Sequence, residues 1–238
     1  ARILAQEGVD VAISARTRET LDATAEELVN ETGRNIIPIA GDISRTEEVE
    51  AMVKKAVSAF GRLDILVNSA GKAGGLAGNS LLGVTDEAVI EDLNTKFVGY
   101  LRVARAVAPF MQRQGWGRII NIGGLSARQS GSYSTGTRNI AIVHLSKTLS
   151  DELGPSGINV NVVHPGGTRK TSYIDNLIVK QAETQGISVE EAEARLGRNT
   201  AIRRLPETEE VASLVAFLAS PKSAAVTGEV ISAGGGIG

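Results

Sequence analysis

Cysteine is absent from all 238 residues, which excludes disulfide scaffolds, thiolate metal sites and thiol nucleophiles together. Histidine occurs only twice, at His144 and His164, and no compact cluster of acidic residues joins either one, so no metal centre is expected. No apolar run approaches the roughly 20 residues that span a bilayer, and the opening residues show neither the apolar segment nor the cleavage site of a signal peptide. Neither sign of charge dominates. A formal net charge of -2 leaves no electrostatic footprint for nucleic acid or an anionic membrane surface. These absences predict a cytoplasmic protein whose partners are small molecules rather than nucleic acid or membrane. With 42% hydrophobic and 22% charged residues, and no repeat, linker or low-complexity tract, one domain over residues 1–238 is expected.

What is present is a regular alternation. Short runs rich in β-branched residues, at Asp10 to Ser14, Asn35 to Ala40, Leu63 to Asn68, Arg118 to Gly123, Ile158 to Val163 and Glu229 to Ala233, read as buried parallel strands. Helical patterns lie between them. One runs from Arg18 to Thr32 and stops at Gly33, and another follows a capping-box pattern at Ser44 and Glu47. A long helix covers about Asp86 to Gln114, the next holds "SYSTGTRNIAIVHLSKTL", and a polar pair spans Tyr173 to Gly197 before a last helix at Glu207 to Ala219. This order predicts an α/β, doubly wound parallel sheet of Rossmann-like type. The opening "ARILAQEG" reads as the tail of a first helix, so the first strand and its phosphate loop are expected in about 15 to 20 further residues upstream. The closing "GGGIG" has no helix after it and reads as a flexible tail rather than a phosphate loop.

Several separated motifs then agree. "VNSAG" (Val67 to Gly71) ends the third of these strands, "GDIS" (Gly41 to Ser44) follows the second, and "NVVHPGG" (Asn161 to Gly167) closes the fifth. In this order and spacing the chain resembles a classical short-chain dehydrogenase/reductase over essentially its whole length, with no N-terminal glycine-rich motif. The resemblance implies a dinucleotide cofactor. Asp42 and Ile43 would meet adenine, Asn68, Ala70 and Gly71 would let the ribose approach, and Pro165, Gly166 and Thr168 would border the nicotinamide. The strand at Asp10 to Ser14, second in the expected fold, ends in Ala15 and Arg16 where an acidic residue would hold a ribose diol, so NADP(H) is expected over NAD(H), which stays possible.

The family's chemistry requires a tyrosine, a lysine four residues later that lowers its pKa, a serine at the end of the preceding strand and an asparagine in the long helix. Aligned on "HLSKTL", the tyrosine position holds Thr135 and the lysine position holds Asn139. The serine position falls on Gly123 or Gly124, with Ser126 displaced toward the loop. Asn94 alone keeps its expected identity. A threonine hydroxyl is too weak an acid to replace a tuned phenol, and a neutral amide cannot stabilise a phenolate. Tyr133, two residues earlier and with Arg138 nearby, is a candidate substitute donor whose own four-residue partner is Thr137. His164 lies beside the expected nicotinamide site, whereas His144 and Trp116 read as packing residues.

Residues from about 170 to 200 match the place where the family carries a substrate lid, and Ser188 with Glu191 forms a capping-box pattern there. Tyr173, Ile174, Leu177 and Ile178 are apolar residues available to a small substrate. Two functions are carried forward: an NADP(H)-dependent oxidoreductase acting on a carbonyl or alcohol, and a catalytically impaired nucleotide-binding or oligomer-forming homologue. Apolar surface on the two long helices, together with the family's habit, predicts a homodimer or homotetramer.

Overall fold

The computed structural model describes residues 1–237. Its strands are β1 (Val11–Ala15), β2 (Ile36–Ala40), β3 (Ile65–Asn68), β4 (Gly117–Ile122), β5 (Ile158–Pro165) and β6 (Val230–Ala233). All pairings among them are parallel. They form two ladders, β1-β2 and β3-β4-β5-β6, and β1 and β3 belong to different ones. The helices are α1 (Arg2–Gln6), α2 (Arg18–Thr32), α3 (Thr46–Phe60), α4 (Asp86–Leu93), α5 (Gly99–Gln114), α6 (Tyr133–Leu153), α7 (Ser172–Gln185), α8 (Val189–Gly197) and α9 (Thr208–Ala219). Among the described residues no helix is long and apolar enough to cross a membrane.

Helices cover both faces, the arrangement that strands buried on two sides require. On one face α5 and α6 pack on β4 and β5 through Tyr100, Val107, Met111, Ile119, Ile142 and Val160. On the other, α9 packs Val215 and Leu218 against Ile120 and Val163. Burying side chains such as Ile119 and Ile120, both fully enclosed, stabilises the fold by about 1.5–3 kcal/mol each relative to leaving them exposed. Two elements join the ladders. Leu4 of α1 packs in the cluster of Ile65 and Val67 on β3, while its neighbour Ala5 packs with Ile36, Val11 and Ile13 on the other ladder. On the opposite face Ile39 and Met52 meet Leu63, Val103 and Ala106.

The doubly wound α/β expectation holds, with element ends shifted by one or two residues. The predicted long helix is interrupted by a π-helical turn at Asn94–Val98, a feature that often marks functional sites. α2 ends at Gly33 in the left-handed conformation, as its sequence requires. The Ser44–Glu47 capping box does not form. α3 begins instead after Arg45 with no side-chain cap, because Asp42 accepts the Ser44 N–H and the Glu48 carboxylate accepts the Asp42 N–H. A reciprocal capping box occurs at Glu207 and Glu210. Gly234 to Gly236 are seated rather than free, while Gly238 lies outside the described residues: a Cβ on Gly234 would stand 2.5 Å from Leu125 Cδ1, and Ile202 N donates to Gly235 O at 3.2 Å.

A buried polar line ties the sheet centre to the helix that matters most for the site. Asn68 Nδ2 donates to Asn121 Oδ1 at 2.9 Å, and Asn121 Nδ2 donates to Ser146 Oγ at 2.9 Å. Ser146 in turn donates to Ile142 O within α6. Each member is satisfied, which is the condition for a buried polar chain to specify register instead of weakening the core.

Candidate active site

Within each ladder the strands run the same way, so their C-terminal ends meet one edge, where an open α/β sheet forms its ligand crevice. Arg16, Asp42 with Ile43, Asn68 to Gly71, Gly123 with Gly124, and Pro165 to Thr168 all lie at or just beyond strand ends on that edge. Arg16 is exposed and takes part in no ion pair among the described residues, whereas Arg18 is tied to Asp22 at 2.7 Å. Burial pushes the Asp42 carboxyl up, but the Ser44 hydrogen bonds and the positive charges of Arg16 and Arg45 outweigh it and hold the group below its ordinary value. Ile43 packs so tightly beneath Gly99 that a Cβ there would stand 2.8 Å from Ile43 Cδ1. Asn68 is buried and committed to Asn121, while Ala70 and Gly71 are exposed along the crevice.

At the other end, Thr168 is buried with its hydroxyl donating to Gly166 O at 3.1 Å. His164, fully enclosed at the end of β5, accepts the Gly124 N–H on Nδ1 at 2.8 Å. That bond places the neutral ring's proton on Nε2, which has no partner. Burial, with the positive charges of Arg128 and Lys96, lowers the imidazole pKa to about 4, so the ring is a neutral brace for the Gly124 amide at ordinary pH.

The sequence-derived catalytic positions separate into two groups. Asn139, Gly124 and Ser126 are brought together: Asn139 Nδ2 donates to Ser126 Oγ at 2.7 Å, and a Cβ on Gly124 would stand 2.7 Å from the same nitrogen. The missing side chain at 124 is what lets the amide reach across. Thr135, Tyr133 and Asn94 are joined to that group by no side-chain hydrogen bond among the described residues. The Thr135 hydroxyl lies 3.4 Å from Ser132 O, and its methyl lies under Gly75, at φ +76°, where a Cβ would stand 2.6 Å from Thr135 Cγ2. Tyr133 is 42% exposed at the start of α6. Asn94 Oδ1 accepts from Arg102 at 2.8 Å.

Two charged residues that the sequence reading passed over occupy the centre. Asp92, from the end of α4, forms a fully buried ion pair with Arg138 of α6, while Arg138 Nη2 also donates to Lys72 O at 2.6 Å. The second carboxylate oxygen accepts from Ser134 Oγ at 2.5 Å and from Leu76 N at 3.2 Å. This pair therefore stitches the loop of residues 72–77 over the start of α6. Lys96, from the π turn, is 7% exposed and donates through Nζ to Gly123 O at 3.0 Å and Asn139 Oδ1 at 3.1 Å. A signal for both was available, since Asp92 and Lys96 continue at four-residue steps the buried stripe of Tyr100, Ala104, Val107 and Met111. The Tyr100 hydroxyl lies 2.9 Å from Ala70 O, and burial raises its pKa, so it stays protonated as a brace.

Beyond the crevice, Ile174, Ile178, Ala182, Ala192 and Leu205 form the core that joins α7 to α8. Ile174 and Ile178 are thus buried inside the helix pair, and Tyr173, 48% exposed, is the aromatic that remains at its surface. A Cβ on Gly74 would stand 3.1 Å from the Tyr173 ring. Ser188 accepts the Glu191 N–H at 3.1 Å, which forms the serine half of the capping box expected there.

The model of the family described as Enoyl-(Acyl carrier protein) reductase matches residues 1–238. The short-chain reductase protein NovJ of Streptomyces niveus is 35% identical over 98% of this chain and 86% of its own length. The NADPH-dependent reductase BacG of Bacillus subtilis is 30% identical over 98% of this chain and 90% of its own. A crystal structure of a variant actinorhodin polyketide ketoreductase with NADPH superposes with a TM-score of 0.90 at 32% identity, covering 100% of this chain and 91% of that one.

Two outcomes follow from the buried groups. Asp92→Ala should lower the free energy of unfolding by about 3–5 kcal/mol, because it leaves the Arg138 charge buried without a partner. Asp92→Ala combined with Arg138→Met should recover most of that loss in urea titrations; a double variant no more stable than the single one would refute the pairing. The His164 pKa is depressed from 6.5 to about 4 on folding, so its contribution is complete above pH 6.5 and is lost as pH falls through 4. Between pH 7 and 5 this removes about 2 kcal/mol of stability from the native chain, and His164→Asn should flatten that part of the profile whatever its stability at pH 7.

Proposed function

The chain belongs to the short-chain dehydrogenase/reductase family, and from that premise we propose that it is an NADP(H)-dependent oxidoreductase acting on a small carbonyl compound or the matching alcohol. The observation that carries the cofactor choice is Arg16: an exposed guanidinium, unpaired among the described residues, at the end of β1. A 2'-phosphate is its natural partner, and an acidic residue that would favour the unphosphorylated ribose is missing from that position. The NADPH named for the BacG relative and for the ketoreductase structure supports the same choice.

The residues at the strand ends support a dinucleotide by their chemistry. Asp42 and Ile43 stand at the end of β2 as an acceptor and an apolar surface for adenine, and exposed Ala70 and Gly71 leave room for a ribose against the backbone. Pro165, Gly166 and Thr168 border the place for the carboxamide. A bound nicotinamide supplies hydride chemistry; the protein's part is to hold it, to position the substrate oxygen and to exclude water. The helix pair α7–α8 acts as the substrate lid, with Tyr173 against Gly74 as its contact with the loop after β3. A partly apolar substrate fits this wall.

A second reading, a nucleotide-binding homologue without turnover, is favoured by Thr135, whose hydroxyl is turned to Ser132 O beneath Gly75. Steady-state NADPH oxidation over a panel of ketones and aldehydes separates the two: turnover supports the reductase, and tight NADPH binding without turnover supports the second reading. Arg16→Ala should weaken NADPH binding by roughly ten- to a hundredfold, the equivalent of one charge-assisted contact, and leave NADH binding little changed. Tighter binding of NADH than NADPH by the native chain would overturn the assignment. We extend the reading to self-association through α5 and α6, where Ile140 is 56% exposed; light scattering should give a dimer or tetramer, and a monomer at micromolar concentration would count against it.

A further inference from the structure

The proposed reductase lacks both members of the family's ionisable pair on α6, yet a primary amine stands at the same site. It enters from the other helix. Lys96 leaves the π turn after α4, runs its stem beneath Gly71, where a Cβ would stand 3.0 Å from Lys96 Cδ, and ends between the last residues of β4 and the side chain of Asn139. Asn139 occupies the position from which the family's lysine would extend. Its amide receives one Lys96 N–H on Oδ1 and donates from Nδ2 to Ser126. Gly123 O receives a second N–H, so two of the three ammonium donors are fixed and the third has no partner among the described residues.

We infer that Lys96 is the proton-donating catalytic residue of this site, with Asn139 and the Gly123 carbonyl as the groups that aim it. This rests on the reductase reading. In the balanced step the carbonyl carbon gains the hydride carried by the reduced nicotinamide, and the carbonyl oxygen gains a proton from Nζ. The N–H bond breaks with its electron pair left on nitrogen, and water returns the proton afterwards; the products are the alcohol and NADP+. Ser126 accepts from Asn139 Nδ2 and positions the amide.

The surroundings suit an acid that works near neutrality. Burial and the Arg138 guanidinium lower the Lys96 pKa to about 7, against the opposing effect of Asp92. The charged and titratable groups facing it are Asp92 from α4, Arg138 from α6 and His164 from β5, with Arg128 acting on the same His164 ring. With Arg138 and Asp92 paired and His164 neutral, protonated Lys96 is the one net charge of the cluster, which is why its proton is the one readily lost.

The first test does not depend on turnover. Cyanate carbamylates neutral amines, so at pH 7 Lys96 should be modified at least tenfold faster than the exposed Lys147 and Lys222, as read by mass spectrometry, and NADPH should protect it. Modification no faster than at those surface lysines would overturn the inference. The second test uses the full chain with NADPH and any carbonyl it reduces. Lys96→Met should lower kcat at least a hundredfold while the NADPH Kd from fluorescence changes less than threefold, and native kcat should fall as pH rises through 7. Lys96→Arg, with the same hydrogen-bonding reach but no titration in this range, should lose both the rate and the pH dependence. Retained kcat in Lys96→Met, or a native profile flat from pH 6 to 8.5, would sink the inference and leave the reductase reading intact. Failure of the native chain to bind NADPH would instead sink that reading.

Discussion

The site depends on the buried ion pair between Asp92 and Arg138. Both side chains are almost wholly enclosed, a position that charged groups hold only when paired and hydrogen-bonded. Here the second carboxylate oxygen takes a serine hydroxyl and a backbone N–H, and the guanidinium reaches Lys72 O. The pair therefore fixes three things at once: the crossing of α4 and α6, the path of the loop after β3, and the electrostatic field around Lys96. Remove it and the loop over Thr135 loses its anchors, while the amine at the end of β4 loses both the charge that repels its proton and the one that retains it.

Around that pair the substitutions on α6 form a consistent set. Asn139 is shorter than the lysine that the family pattern places there, and its amide is met by an amine arriving from the facing helix. Gly124 has no side chain to block it. Gly123 leaves space for the His164 ring, which in turn holds the Gly124 amide. Ser126, two residues farther on, accepts the other side of Asn139. Read one at a time these are departures from the side chains expected on the family pattern. Taken as a packed group they are a rearrangement in which the polar contacts pass from within one helix to between two.

The sheet explains why such a rearrangement is tolerated. β4 and β5 are buried on both faces, and the Asn68–Asn121–Ser146 line holds α6 in register from below. The strand ends are therefore fixed independently of the residues that line the crevice, so the crevice can change while the framework stays. The same holds for the helix pair α7–α8, whose core of Ile174, Ile178, Ala192 and Leu205 is its own.

Periodicity alone determined the α/β order, the helix end at Gly33 and the strands that carry the crevice, because burial on two faces and a left-handed cap each impose a local pattern. Motif order pointed to the family, and placed Thr135 and Asn139 where the family pattern is expected to carry its tyrosine and lysine. Tertiary structure decided the rest. The expected capping box of α3 gave way to a turn held by Asp42 and Glu48, because the Asp42 carboxylate takes the Ser44 N–H and a carboxylate six residues on takes the Asp42 N–H. The glycine tail found contacts on Leu125 that no local pattern encodes. Lys96 was readable only as a lysine that, with Asp92, continues an apolar stripe; its place beside Asn139, 43 residues away in the chain, arises from the packing of two helices, a distance over which sequence pattern carries no geometry and only the folded core does.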